Sequence, residues 1–382
     1  MASSSSSASR QAVALLGLRD EPTDAIEDYC ANLAEALSQR SWSLRLVRLP
    51  WPERGWARAL GWLWGESAAW RRQVVLVQYS PLQWSRRGWP QGLLAVLAVL
   101  RLRGAQPVMV FHDPAVAPAD KTGTWLRRAA HAFRRWVQRI VLRLSYAAAG
   151  LSVFTVAPEA ISWLGSRHKK AVFIPVGANL PAAWQCGGPC EGPAGRTPRV
   201  AVYGVTGGAA LGRDAATIAR AVRRALRSVP RLSVIVLGRN SREAESTLRS
   251  LLQGADAEIS ALGLLPLEHV ARTLASADVQ LFVRGGVSTR RSSAIAGIAC
   301  GLPLVAYANE ETLYPLTEAG VMFAPEGDAD ALGEALAQVL TDAELRRHLR
   351  ERNQQIYREW FAWDRIAERL VEALERRPAL PG

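Results

Sequence analysis

Short runs of apolar, largely β-branched residues recur along this chain, and the stretches between them are long enough for amphipathic helices. In the first half the runs are AVALLGL (12–18), LRLVRL (44–49), VVLVQYS (74–80), PVMVFHD (107–113), LSVFTVA (151–157) and AVFIPVG (171–177). In the second they are VAVYGV (200–205), LSVIVLG (232–238), ISALGLL (259–265), VQLFV (279–283) and LPLVAY (302–307). Strands this apolar are covered on both faces, and strands joined by helices run parallel. The pattern therefore predicts an α/β chain of doubly wound parallel sheets. With 382 residues it is too long for one ordinary core. A Gly- and Pro-rich seam, CGGPCEGPAGRTP from Cys186 to Pro198, separates the halves. The expected order is a polar tail (1–10), a first domain (11–190), a linker (191–198), a second domain (199–345) and helices (346–382) packing back on the first.

In such sheets ligands sit beyond the carboxyl ends of the strands. Two loops there look ready for an anion. The first follows Val200–Val205 and offers Gly204, Thr206, Gly207 and Gly208, with Arg213 at the entrance of the next helix. The second follows Ala277–Val283: the chain turns through Gly285 and Gly286, offers Ser288 and Thr289, and is expected to enter a helix with Arg290 and Arg291 in its first turn. Free N–H groups and the helix dipole gather there, and arginines so early in a helix call for a negative partner. An N-capped helix with solvated arginines is the alternative. Neither a Walker lysine pattern nor a GxGxxG after the first strand occurs, which argues against ATPase and simple dehydrogenase readings.

Charge is uneven. Residues 1–190 hold 23 Lys and Arg against 11 Asp and Glu, while residues 191–382 hold 24 against 23, so the basic surface belongs to the first half. Twelve of the fourteen tryptophans lie there too, within residues 42–184. Between Trp125 and Leu144 a helical projection puts Trp125, Leu126, Ala129, Phe133, Trp136, Val137, Ile140 and Leu144 on one face. Arg127, Arg128, Arg134, Arg135 and Arg139 fall on the other. Such a helix either packs its apolar face on the sheet or lies on anionic lipid. No apolar run is long enough to span a bilayer, and the start MASSSSSASR lacks the apolar core of a signal peptide. A cytoplasmic chain is expected, peripheral at the inner face of the membrane if it meets one. Cys186 and Cys190 have no second pair or suitably spaced histidines, so no metal site is expected.

These landmarks resemble the nucleotide-binding domain of GT-B glycosyltransferases, especially the large retaining group that includes sucrose synthases and bacterial mannosyltransferases. The likeness runs from Val200 to about Trp363, through IACGLPLVAY, and is most specific at ACGLP. VMFAPEGDADALGEALAQVLTD (321–342) resembles the group's carboxyl-terminal signature. FHDP (111–114) and FIPVGAN (173–179) resemble acceptor-domain strand ends. The resemblance implies two Rossmann-like domains facing a cleft. It implies a nucleoside-diphosphate sugar as donor, no separate cofactor, and a hydroxyl acceptor, either a glycan or a lipid-linked polysaccharide precursor. Donor contacts would come from Gly204, Thr206, Gly207, Gly208, Gly238, Gly286, Ser288, Thr289, Arg291 and Glu310, with Arg213 and Arg290 facing the diphosphate. His112 holds the place of a histidine near the transferred sugar, although a lone histidine can equally be structural. Asp113, with Arg127, Arg128, Arg134, Arg135 and Trp136, would serve the acceptor or membrane side.

The departures are specific. The group's two glutamates fall on Ser288 and Ala296, its usual arginine on Val205, and the asparagine of its acceptor-domain pattern on Val176. Diphosphate binding can survive these changes, but carboxylate recognition of the sugar cannot. A hexosyltransferase is expected, with a nucleotide-sugar-binding partner or regulator as the alternative. Nucleic acid is set aside, because no aromatic-basic recognition motif is visible.

Overall fold

The computed structural model describes residues 10–116, 124–165, 170–180 and 195–376. Cys186, Cys190 and most of the seam lie outside them. Two compact units separate: the described residues of Met1–Pro175 with those of Ile366–Gly382, and Val176–Arg365. The division thus precedes residue 190, because Val176–Leu180 are tied into the second unit. Val176 N donates to Thr289 O at 3.1 Å, and Trp363 Nε1 donates to Ala178 O at 2.8 Å. The helix Ala343–Ile356, expected on the first domain, belongs to the second unit for a reason given below.

The first unit holds six parallel strands: β1 (Arg10–Leu16), β2 (Trp42–Arg48), β3 (Val74–Tyr79), β4 (Gln106–Phe111), β5 (Leu151–Phe154) and β6 (Ala171–Phe173), in the order β2-β1-β3-β4-β5-β6. The second holds β7 (Arg199–Tyr203), β8 (Leu232–Leu237), β9 (Ala257–Gly263), β10 (Val279–Gly286), β11 (Leu304–Ala308) and β12 (Val321–Pro325), in the order β12-β11-β10-β7-β8-β9. Both are doubly wound Rossmann-like sheets, as the apolar runs required. β12 was not expected as a strand, since only Val-Met-Phe-Ala precedes its proline. Among the described residues no helix is long and apolar enough to cross a membrane.

The covering helices bury the faces their periodicity marks. Asp24 caps the helix Ala25–Ser38 by accepting from Ile26 N and Glu27 N, and Tyr29, Cys30, Leu33 and Leu37 turn inward. In each sheet the strand order reverses once, between β1 and β3 and between β7 and β10. The loops on either side of a reversal depart to opposite faces, leaving a crevice at the carboxyl ends.

Asn353 fixes the helix Ala343–Ile356 to the second sheet. Fully buried, it accepts from Gly320 N at 2.7 Å and donates to Leu302 O at 2.7 Å. The approach is close enough that a Cβ on Gly320 would stand 1.8 Å from Leu349 O. Asn353→Leu orphans the Gly320 N–H and the Leu302 carbonyl, so it is expected to cost about 3 kcal/mol. A drop in the urea midpoint of the second unit checks this; a shift within error would mean the anchor lies elsewhere.

Candidate functional site

The crevice between β7 and β10 brings the two sequence loops together. After β7 the chain turns at Gly204, whose φ of +84° suits glycine. Its N–H donates to Leu237 O at 2.8 Å. Thr206 N then donates to Asp214 Oδ2 at 2.8 Å, and Asp214 is buried in the first turn of the helix Leu211–Ala225. The expected phosphate glycines divide into two kinds. Gly207 makes room for Asn240, whose Nδ2 would stand 2.9 Å from a Cβ there and donates to Val205 O at 2.9 Å. Gly238, at φ +88°, lies against the Tyr203 ring. Gly208, at φ +61°, faces open space. Arg213 occupies the expected helical turn but is exposed.

The second loop differs from its expectation. The helix runs Ser292–Ala299, so Arg290 precedes it and Arg291 is its N-cap residue rather than part of its first turn. A tight turn intervenes, with Arg291 N donating to Ser288 O at 3.0 Å. Ser288 and Thr289 are buried, and the Ser288 hydroxyl meets no hydrogen-bond partner among the described residues. Arg290 is committed: its Nε lies 3.0 Å from Glu311 Oε2, with both side chains mostly buried. Glu310, the carboxylate singled out from the sequence, is exposed, and its neighbour Glu311 makes the contact. Gly286 leaves room for Asn309, whose Cγ would stand 2.2 Å from a Cβ there.

Arg284 is the residue that sequence reasoning passed over. It lies two residues before the end of β10, within a register shift between Phe282 and Gly286, and a Cβ on Gly204 would stand 3.3 Å from its Nη1. Its Nε is buried and meets no acceptor among the described residues. Burial holds the guanidinium below its usual range; Asp214 opposes that, while Arg239 and Arg290 add to it. Arg239, Arg284 and Arg290 thus gather at the ends of β8 and β10, with Asp214 and Glu311 as the neighbouring carboxylates. Positive charge gathered at strand ends is an electrostatic setting that favours an anion. The only signal in the sequence was the arginine placed directly before the two glycines.

In the first unit His112 follows β4. It is buried, its N–H donates to Tyr79 O at 2.9 Å, and its Nε2 lies 2.7 Å from Gln78 Oε1. The Tyr29 ring meets it edge-on at 4.8 Å. Burial lowers its pKa to about 4, against an opposing pull from Asp24. At neutral pH it is an uncharged ring whose Nε2 donates to the Gln78 carbonyl oxygen. Asp113 is half-buried beside it. The helix Trp125–Ala148 carries the expected arginines, but it turns Gln138, Val141, Leu142 and Ser145 inward, leaving Trp125, Leu126, Phe133 and Trp136 exposed.

Residues 199–342 match the family described as Glycosyl transferases group 1. A curated relative, the GDP-mannose-dependent monoacylated alpha-(1-6)-phosphatidylinositol monomannoside mannosyltransferase of Corynebacterium glutamicum, is 27% identical over 168 residues. That match takes in 42% of this chain and 44% of the relative, less than half of either. Among solved structures, sucrose-phosphate synthase from Thermosynechococcus elongatus superposes with a TM-score of 0.66 at 18% identity, over 96% of this chain and 99% of that one. Anabaena HepE in complex with UDP and glucose gives 0.63 at 12% identity, again over 96% and 99%. A glycosyltransferase from Rickettsia africae gives 0.67 at 10% identity over the same shares. At these identities the superpositions establish the fold, GT-B.

His112 supplies a pH test. Its folded pKa of about 4 lies below the ordinary 6.5, so between those values the unfolded chain binds more protons. Stability from this group is complete above pH 6.5 and is lost as pH falls toward 4, by about 3 kcal/mol. The stability difference between wild type and His112→Gln should narrow over that window. An imidazole signal titrating near 6.5 by NMR would contradict the burial.

Proposed function

We propose that this chain, a GT-B protein whose residues 199–342 form a group 1 glycosyl transferase domain, moves a sugar from a nucleoside-diphosphate donor to a hydroxyl acceptor. The observation that carries this reading is the arginine cluster beside Gly204, with a buried Arg284 Nε that meets no acceptor among the described residues. When the glycosidic bond to the diphosphate breaks, negative charge develops on the leaving oxygens. Cations and N–H groups already held in place lower that barrier. Arg284, Arg239 and Arg290 can neutralise that charge, with the open loop at Gly208 giving the phosphates access, so the chemistry asks for no divalent ion. Ser288 and Thr289 then support the loop from beneath, and Arg213 contributes only long-range charge.

The donor base is uracil or guanine: HepE is solved with UDP and with UDP-glucose, and the Corynebacterium glutamicum relative is GDP-mannose-dependent. That relative acts on a phosphatidylinositol mannoside, which supports a lipid-linked acceptor or polysaccharide precursor here, met by the first unit at the inner face of a membrane. A neutral His112 can hydrogen-bond a sugar hydroxyl through Nδ1 without acting as a charged acid. The second reading, a nucleotide-sugar-binding regulator, rests on Ser288 and Ala296 standing where this group usually carries glutamates.

Titration calorimetry with UDP and GDP tests the site. Arg284→Gln and Arg290→Ala are each expected to weaken the nucleotide that wild type binds by about tenfold or more. Unchanged affinity in both moves the donor site away from these loops. Tight binding without turnover of any UDP- or GDP-sugar selects the regulator.

A further inference from the structure

The helix Trp125–Ala148 in the first unit is built the wrong way round for a covering helix. Its inward stripe, Gln138, Val141, Leu142 and Ser145, is half polar: Gln138 Nε2 donates to Gly88 O at 2.9 Å, and Ser145 is fully buried. From Trp125 to Val137 no residue is buried at all. The large apolar side chains face out instead, with Trp125 69%, Leu126 61%, Phe133 56%, Trp136 58% and Leu144 49% exposed. At roughly 100° per residue their mean direction lies about 150° from the inward stripe. A helix that served only the core would show the reverse.

The ridge is organised as well as exposed. Phe133 stacks on Trp136 with centroids 5.7 Å apart, and Trp89 leans on Phe133 at 5.9 Å. Trp89 comes from the same loop as Gly88, so the Gln138 bond also seats that ring against the helix. Exposed Arg86 and Arg87 enter from that loop. Along its 24 residues the helix carries arginine at 127, 128, 134, 135, 139 and 143 and no carboxylate.

Charge selects the occupant. A second copy of this helix would bring the same arginines and be repelled. What covers the ridge must offer apolar depth under Trp125, Leu126, Phe133 and Trp136, and negative charge at the level of the arginines. We propose that this face docks on an anionic phospholipid bilayer, with the helix lying in the interface, its aromatic rings among the acyl chains and its arginines among the lipid phosphates. This deepens the membrane-side acceptor reading given above, but its test involves no sugar transfer.

The test is flotation of the full chain with phosphatidylcholine vesicles, with and without phosphatidylglycerol. Wild type is expected to float with the anionic vesicles and not with the neutral ones. Phe133→Ser/Trp136→Ser and Arg128→Gln/Arg135→Gln should each lower the apparent affinity about tenfold or more, while UDP and GDP affinity stays unchanged. These side chains lie outside the core, and far-UV circular dichroism confirms that the variants fold. Quenching of tryptophan fluorescence by brominated lipid should fall in the aromatic variant. No flotation of wild type, or undiminished flotation of both variants, overturns the proposal. So does RNA that displaces the protein from anionic vesicles with a steep salt dependence, or binding to an acidic protein in preference to lipid. If flotation holds and no donor is turned over, the surface stands and the transferase reading falls.

Discussion

One short pairing shapes the crevice of the second unit. β7 and β10 are joined by the register pairs Val279↔Val200 and Gln280↔Ala201, the point where the β7-β8-β9 part of the sheet meets the β10-β11-β12 part. Because the two strands are parallel and the order reverses there, both exits open into one crevice. Gly204 turns sharply on one side, while Arg284 and Gly285 break register on the other. The geometry that makes the sheet continuous is therefore what sets a guanidinium over a glycine.

The two sheets share a second device, a buried glutamine beside the reversal. Gln78 on β3 holds His112, the residue following β4. Gln280 on β10 donates to Ser293 O at 3.0 Å, fixing the start of the small-residue helix Ser292–Ala299. That helix approaches so closely that a Cβ on Gly297 would stand 1.7 Å from Gln280 Oε1. In both units a polar side chain in an otherwise apolar strand orients the chain leaving the neighbouring element. An amide suits this task, since it stays neutral and both donates and accepts.

The architecture was legible because parallel strands announce themselves by apolar runs, and those runs need only local information. The loops were legible as loops. What the sequence concealed was partnership. Nothing local shows that Arg290 pairs with Glu311 rather than with a ligand, or that of two adjacent glutamates Glu310 is exposed and Glu311 mostly buried. Arg284 follows the apolar run that marks the strand, and the glycine it lies beside stands 80 positions earlier in the chain. The helix at Trp125 misled in the opposite direction: its periodicity was read correctly, yet periodicity cannot say which stripe faces the sheet. Gln138 and Ser145 decide that, through a loop carbonyl and close packing that no projection reveals.

The crowding of positive charge around Arg284 also bears on how a catalytic cycle would end. A nucleoside diphosphate that has lost its sugar carries more negative charge than the same diphosphate in ester linkage. Fixed, buried cations reward that difference without having to rearrange. Such a site would hold the spent nucleotide more firmly than the intact donor. Turnover would then be paced by departure of the product, and the chain's output would follow how fast its surroundings remove free diphosphate as much as how fast they supply sugar.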